Sequence, residues 1–122
     1  MEELSFGKYL TNLREKKDVT LRELARLIGV SAPFLSDVEK GRKPPLTAER
    51  LEKVISALHL SKEEADKLNN LAGKQKGTIA PDLSPYVMND YVSNALRTAK
   101  DLDAGEKEWL HFVEELKKQK GV

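Results

Sequence analysis

The chain has 122 residues, of which 39% are hydrophobic, 34% are charged and 6% are aromatic, and its formal net charge is +1. This length allows one ordinary domain with a small addition, and the near-neutral charge neither favours nor excludes a nucleic-acid partner. There is no run of about 20 apolar residues, no secretory signal pattern at the N-terminus, and no cysteine. We therefore expect a cytoplasmic protein that has no membrane contact, no disulfide and no thiolate metal site.

The spacing of apolar residues predicts helices from the start of the chain. The first helix ends near Lys17. Thr20 begins the second helix, and Glu23 three residues later completes a capping box. Gly29 ends this helix, since glycine adopts a positive φ at low cost. The apolar stripes of the two helices are Phe6, Tyr9, Leu10 and Leu13, and then Leu21, Leu24, Ala25 and Ile28.

Three further helices are predicted before residue 77. Ser31 caps the third, with Pro33 in its first turn, where a missing N–H is harmless. The fourth starts near Thr47, after a loop that contains two prolines. Ser61 and Glu64 form a second capping box for the fifth. The inward residues are Leu35 and Val38, then Leu51, Val54, Ile55 and Leu58, then Ala65, Leu68, Leu71 and Ala72.

A polar segment bracketed by glycines, residues 73–77, predicts a domain boundary. It divides the chain into a five-helix domain, residues 1–77, and a helical C-terminal extension, residues 78–122. No segment has the alternation expected of a β-strand. The fold class is therefore predicted to be all-α, with five helices followed by two amphipathic ones.

Two amphipathic helices are predicted in the C-terminal extension. Ser84 and Pro85 resemble a helix cap followed by a proline in the first helical position. Asp103, with Glu106 three residues later, is expected to open the last helix. The apolar stripes are Met88, Tyr91, Val92, Ala95, Leu96 and Ala99 on the first helix, and Trp109, Phe112, Val113 and Leu116 on the second.

The most informative stretch of the chain runs from Thr20 to Gly41. It contains two short capped helices, and only Gly29 and Val30 separate them. The small Ala25 lies where the two helices must approach closely. Such a helix-turn-helix leaves its second helix protruding, and a protruding helix fits the DNA major groove, which is about 12 Å wide. The pattern therefore indicates DNA binding.

The chain resembles the Xre family of phage-repressor-like helix-turn-helix domains from about Phe6 to Ala72. The matching elements are Leu13-Arg14, Thr20-Leu-Arg-Glu-Leu-Ala25, Gly29-Val-Ser31 and Leu35-Ser-Asp-Val-Glu-Lys-Gly41, together with the fourth and fifth helices. The resemblance implies a phage-repressor-like fold and a sequence-specific, DNA-binding transcriptional regulator. It also implies a repressor that binds a pseudo-palindromic operator as a dimer.

The third helix carries the candidate base contacts. By resemblance, Ala32, Pro33 and Asp37 match positions that commonly read bases, and Ser36 shares their outward face. Phe34 is expected to lie half in the core and half at the interface. Many relatives have Gln, Asn or Arg at these positions, so the readout here is expected to use thymine methyls, with Asp37 accepting from a cytosine amino group. Asp37 is alternatively a repelled bystander, or it orients a neighbouring Lys or Arg.

Phosphate contacts are expected on both sides of the third helix. The candidates at the start of the helices are Thr20, Arg22 and Ser31, and those after the third helix are Lys40, Arg42 and Lys43. The first group lies at helix N-termini, which attract anions. The alternatives are that Thr20 is only a cap and that the basic residues are only a solvated surface. Arg14 and Glu39 match a charged pair of the family and are expected to tie the first helix to the third.

The apolar stripes of the C-terminal extension need a partner surface. One hypothesis is a homodimer interface centred on Trp109 and Phe112, with Tyr91 and Leu116 beside them, which would present two recognition helices to one operator. A second is packing against the fifth helix. A third is docking of another protein such as a toxin. In that case the chain would be an antitoxin that neutralises its toxin and represses its own operon.

An enzyme is not expected. The chain has only two histidines, His59 and His111, and they are far apart in sequence. His59 occurs at a helix end, where a C-terminal role is more typical than catalysis. The sequence has no Gly-rich phosphate loop, no nucleophile elbow and no metal-ligand spacing. We therefore expect double-stranded DNA as the partner, with no cofactor and no bound metal.

Overall fold

The structure is a computed structural model that describes residues 4–122, and within that range the chain is helical without a strand. The all-α prediction is confirmed. The described helices are α1 (Phe6–Lys16), α2 (Leu21–Ile28), α3 (Ala32–Glu39), α4 (Ala48–Ala57), α5 (Lys62–Lys76), α6 (Ser84–Val87), α7 (Asp90–Asp101) and α8 (Glu106–Lys120). None of them is long and apolar enough to cross a membrane. The chain forms two compact units, Met1–Ser84 and Pro85–Val122.

The first unit is built around one apolar core. Helix α2 packs against α3 and α4, and α1 packs against α3 and α5. The predicted stripes of all five helices contribute to this core, because each helix buries one face. Its buried members are Phe6, Leu10, Leu13, Leu24, Ala25, Ile28, Leu35, Val38, Leu46, Leu51, Val54, Leu58, Leu68 and Ala72.

Both predicted capping boxes are present. The N–H of Glu23 donates to Thr20 Oγ1 over 3.1 Å, and the Glu23 carboxylate accepts from the Thr20 backbone. Ser61 and Glu64 repeat the arrangement, with Glu64 Oε1 accepting from the Ser61 N–H over 2.9 Å. Gly29 has φ 76°, as its predicted role requires. These exchanges satisfy N–H groups that the helix itself leaves unpaired.

A mostly buried ion pair joins α1 to the end of α3. Arg14 Nε donates to Glu39 Oε2 over 2.9 Å, and Nη2 donates to Oε1 over 3.0 Å. Arg14 Nη1 also donates to the Val19 carbonyl, and Thr11 Oγ1 donates to Glu39 Oε1. The hydrogen bond with Glu39 raises the pKa of Arg14. At Gly7, a Cβ would collide with the Glu39 carbonyl oxygen, so the two helices touch at backbone level.

A second set of charges joins α1 to the start of α5. Lys16 Nζ lies 3.2 Å from Glu64 Oε2, and Lys17 Nζ lies 3.6 Å from Glu64 Oε1. The hydrogen bond from the Ser61 N–H, aided by the two lysines, lowers the pKa of Glu64 from 4.5 to about 2. Glu64 thus caps α5 and pairs with α1 through one carboxylate.

The segment 73–77, predicted as a boundary, is not a linker. Helix α5 continues to Lys76 and ends at Gly77, which has φ 70°. Gly73 is buried within this helix, and a Cβ there would lie 2.8 Å from the backbone N of Ala80. Ala80 is itself buried. The chain after α5 therefore turns back onto it, and the first compact unit extends to Ser84.

The helix predicted from Ser84 is interrupted. Helix α6 is a single turn that ends at Val87, and α7 begins separately after Asn89. Asn89 Nδ2 donates to the Tyr86 carbonyl over 2.9 Å, which offers the backbone an alternative to continued helix. Met88, predicted on the apolar stripe, falls in this break and is 75% exposed.

The last helix also begins later than predicted. Asp103 has φ 56° and lies just beyond the end of α7, so it ends one helix rather than opening the next. Gly105 is the N-cap residue of α8, and its N–H donates to Glu108 Oε2 over 3.0 Å. The carboxylate that caps α8 is therefore Glu108 and not Glu106. Asp103 tolerates the left-handed conformation better than most residues.

Replacement of Glu39 by Ala should destabilise the first unit by about 3–5 kcal/mol, because it leaves the Arg14 guanidinium mostly buried without its partner. The side chains of Arg14 and Glu39 are only 12% and 7% exposed. Urea unfolding followed by circular dichroism measures the change. The matched control is Glu49→Ala, which removes an 83% exposed carboxylate that lies 3.9 Å from Lys53. It should cost less than about 1 kcal/mol. Equal losses in the two variants would contradict a structural role for the pair.

The stability that Glu64 provides should depend on acid pH. Its pKa is lowered on folding, so the stabilisation is complete above pH 4.5, the ordinary pKa, and is lost as pH falls toward the folded value of about 2. The free energy of unfolding of the Glu64→Gln variant should therefore decline less over this range than that of the unchanged chain. Glu63→Gln, one position earlier on the exposed face of α5, is the control and should follow the unchanged chain. Parallel curves for all three proteins would refute the assignment.

Candidate nucleic-acid interface

Helix α3 follows α2 through a tight turn. The left-handed Gly29 reverses the chain, and the Val30 N–H donates to the Ala25 carbonyl over 2.9 Å. Ser31 then caps α3, its Oγ accepting from the Phe34 N–H over 3.1 Å. Since the inward residues of α3 are buried in the core, its direction is fixed and its opposite face is left outward. The predicted helix-turn-helix geometry is therefore present.

The candidate base-contact residues lie together on α3. Pro33 is exposed, whereas four others are half-buried, namely Ala32, Phe34, Ser36 and Asp37. Leu35 and Val38, on the inward face, are 0% and 1% exposed. The outward face thus presents a methyl group, a proline ring, an aromatic ring, a hydroxyl and one carboxylate. Whether these groups contact bases stays a prediction.

Asp37 organises the loop that follows α3. Its backbone carbonyl accepts from the N–H groups of Arg42 and Lys43 over 2.8 and 3.3 Å. Its carboxylate oxygen Oδ1 lies 3.7 Å from Arg42 Nη1. Of the alternatives for Asp37, the orientation of a neighbouring basic residue is the one for which the structure shows a contact. Lys40, at the C-cap of α3, is exposed beside the same loop.

Phe34 lies beneath two cations. Lys43 Nζ is 5.6 Å from the centre of its ring, and the guanidinium carbon of Arg50 is 5.2 Å from it. Both distances are within the range of cation–π attraction. The sequence-based site included Lys43 but missed Arg50, which belongs to α4. From the sequence, Arg50 can be placed only in the first turn of the helix that follows the predicted cap Thr47. That position does not reveal that Arg50 lies close to α3.

The start of α2 carries the remaining phosphate candidates. Arg22 is exposed. The Thr20 hydroxyl takes part in the capping box, where it accepts from the Glu23 N–H and lies 3.1 Å from Glu23 Oε1. The alternative that Thr20 is a cap is thus observed. Ser31 is likewise engaged as the cap of α3. Contact of these residues with DNA remains a prediction.

The second unit contains an apolar groove of about 830 Å³ between α7 and α8. All four predicted interface residues line it: Tyr91, Trp109, Phe112 and Leu116. The rings of Trp109 and Phe112 meet edge to face, with centroids 6.2 Å apart and an interplanar angle of 86°. These two side chains are 42% and 54% exposed. The groove therefore presents a sizeable apolar surface.

The two histidines belong to different compact units. His59 has φ 50° and ends α4, in agreement with the role predicted for it. His111 is exposed on α8. Within residues 4–122, no group of three or more His, Cys, Asp or Glu side chains is arranged to hold a metal ion.

Comparison with known proteins agrees with this geometry. A family model described as a helix-turn-helix domain matches residues 5–68. Two proteins of Mycobacterium tuberculosis, from strains CDC 1551 and H37Rv, are described as uncharacterized HTH-type transcriptional regulators. Each is 40% identical to this chain over 57 residues, which is 47% of this chain and 40% of the relative. The match therefore spans well under half the length of these relatives.

A chain of the solved complex of the SinR and SinI proteins is also similar, with a TM-score of 0.48 and 23% identity over 96% of this chain and 99% of that chain. The helix-turn-helix model alone covers more than half of the 122 residues. The chain belongs to the helix-turn-helix domain family, and the resemblance predicted from its sequence is confirmed for this domain.

Proposed function

We propose that this protein is a sequence-specific DNA-binding repressor that inserts α3 into the major groove of a pseudo-palindromic operator. The observation that carries the proposal is the outward face of α3, which is bordered by Lys40, Arg42 and Lys43. A helix flanked by cations suits DNA, because phosphate contacts orient the protein while groove contacts select the sequence. Occupancy of an operator also blocks other proteins from the same DNA, which is the simplest route from binding to repression.

Sequence selection would rest mainly on apolar contacts. Ala32, Pro33 and the edge of Phe34 are suited to thymine methyl groups, and Asp37 can accept a hydrogen bond from cytosine. None of these side chains offers the bidentate donor that Arg uses toward guanine. Sequence-dependent DNA shape would therefore add to the selection. Since the contact of Asp37 with Arg42 is 3.7 Å long, the carboxylate retains acceptor capacity.

Selection of bound sequences from random DNA tests this function. We expect an inverted repeat, with half-sites separated by about one helical turn, or 10–10.5 base pairs. Half-sites rich in A·T pairs would agree with methyl contacts. Recovery of sequences without any common motif would refute sequence-specific recognition.

On the selected duplex, the double variant Arg42→Ala, Lys43→Ala should weaken binding and reduce the salt slope by about 0.9 for each phosphate contact that is lost. Unrelated duplexes should be affected to the same extent, because phosphates carry no sequence information. The control Lys62→Ala, Lys67→Ala removes the same charge from two exposed sites on α5, outside the proposed dimer interface. Equal salt slopes in the two double variants would show that Arg42 and Lys43 do not contact DNA phosphates.

We also propose that the operator is bound by a homodimer formed through the groove of the second unit. Trp109 and Phe112 supply aromatic anchors of the kind that dominate protein interfaces. The first turn of α8 carries Glu106 and Glu108, and its last turn carries Lys117, Lys118 and Lys120. Two copies of α8 in antiparallel contact would therefore place acidic turns against basic ones. This charge pattern favours a second copy of the chain as the occupant.

Phe112→Glu, made in the full chain, should convert the dimer to a monomer and weaken operator binding, because it places a charge in the apolar groove. His111→Glu adds a negative charge at the neighbouring position of α8, which does not line the groove, and should leave the dimer intact. Sedimentation measures the oligomeric state. A Phe112→Glu variant that remains dimeric would exclude the groove as the dimer interface. A monomeric unchanged chain would refute the homodimer and direct attention to a protein partner such as a toxin.

We also propose that the role of this protein does not involve catalysis. The carboxylates of Glu23 and Glu64 are used in helix caps, and that of Glu39 is used in the ion pair with Arg14. These groups are thus employed in structure, as the helical surfaces of a binding protein require.

A further inference from the structure

Arg50 is the cation that α4 contributes to the neighbourhood of α3. It follows the cap Thr47 by three residues and therefore lies in the first turn of α4. Its guanidinium carbon is 5.2 Å from the centre of the Phe34 ring, and Lys43 Nζ approaches the same ring at 5.6 Å. The ring of Phe34 in α3 is thus approached by one cation from the following loop and by another from α4.

The charge of Arg50 is not neutralised by a neighbour. Among residues 4–122, no carboxylate lies within ion-pair distance of Arg50 or of Lys43, whereas Arg42 is close to Asp37 and Lys53 is close to Glu49. Arg50 is also half-buried, so its stem is held against the protein. A guanidinium that is ordered by a ring and lacks an acidic partner is suited to an external anion.

We propose that Arg50 is a further DNA-backbone contact, on a helix outside the helix-turn-helix, and that Phe34 is the positioning residue that orients it. The inference rests on the proposed DNA-binding function. Arg50 is attached to a rigid helix, and the Phe34 ring limits its rotamers before binding. The entropy lost when it contacts a phosphate is then smaller than for a free side chain. Phe34 consequently belongs to the face proposed to contact bases, and it also orients a side chain proposed to contact phosphate.

The test compares Arg50→Ala with a matched control, Lys67→Ala. Lys67 Nζ, on α5, lies 5.0 Å from the centre of the Tyr9 ring on α1. The control therefore loses the same charge and the same kind of cation–π contact, but away from α3. The probe is a duplex of about 20 base pairs of mixed sequence, since two helical turns cover a dimer site. Dissociation constants are measured between about 50 and 200 mM salt.

Arg50→Ala should reduce the slope of log Kd against log salt by about 0.9, equivalent to a roughly 3- to 4-fold smaller change in Kd across this salt range. Lys67→Ala should leave the slope unchanged. Arg50→Lys should restore the slope but bind more weakly than the unchanged chain, because an ammonium retains the charge without the planar fork. Circular dichroism establishes that each variant is folded.

A double-mutant cycle tests the positioning role of Phe34. Phe34→Leu removes the ring and retains an apolar side chain, so Arg50→Ala should cost less affinity in that background than in the unchanged chain. Equal costs in the two backgrounds would overturn the positioning role. An unchanged slope in Arg50→Ala would overturn the phosphate contact while DNA binding by the unchanged chain stood. If the unchanged chain bound no duplex, the proposed function would fail along with this inference.

Discussion

The ion pair between Arg14 and Glu39 holds the end of α3 in place, in addition to the burial of its inward face in the core. The guanidinium binds Glu39 at the last turn of α3 and the Val19 carbonyl just before α2, so a side chain of α1 fixes both helices of the helix-turn-helix. The pair is mostly buried, which protects it from screening by salt. A buried pair is a poor general source of stability compared with apolar packing, but its directional hydrogen bonds set geometry. The position of the outward face of α3 follows from that geometry.

The surface around α3 has a weakly polar centre and a positively charged border. The outward face is weakly polar and carries a carboxylate at Asp37, whereas cations border it at Arg42, Lys43 and Arg50. This arrangement explains how a chain of net charge +1 can present a surface suited to DNA. Electrostatic attraction depends on the local distribution of charge, because salt screens distant charges.

Features of the fold that depend on neighbours in sequence were predictable. The capping boxes at Thr20 and Ser61 and the left-handed Gly29 were all expected, because each requires only a few consecutive residues. Gly73 was predicted to belong to a linker, but its lack of a side chain instead allows the backbone of Ala80 to approach α5 closely. The break at Asn89 was also missed, because a side-chain hydrogen bond to the Tyr86 carbonyl competes with the helix there.

In the candidate site, too, features that depend on neighbours in sequence were predictable and features that depend on tertiary contacts were not. The outward residues of α3 could be named from helical periodicity and the family resemblance, and the partner of Arg14 could be named from the resemblance. Arg50 could not be found in this way, because its relation to Phe34 exists only when α3 and α4 have both packed against α2. The Asp37–Arg42 contact depends on the path of the loop, which periodicity does not describe.

The double use of Phe34 has a consequence for how this surface can diverge. Pro33 and Ser36 are not part of the apolar core, whereas Ala32 packs against it, so in the proposed complex new residues at positions 33 and 36 can change the preferred operator while the fold remains intact. Phe34 lacks this freedom, since the ring proposed to meet the groove also lies 5.2 Å from the guanidinium carbon of Arg50. In the proposed complex, a substitution of Phe34 would therefore alter the affinity for every DNA sequence, whereas substitutions of Pro33 or Ser36 would alter only the preference among sequences.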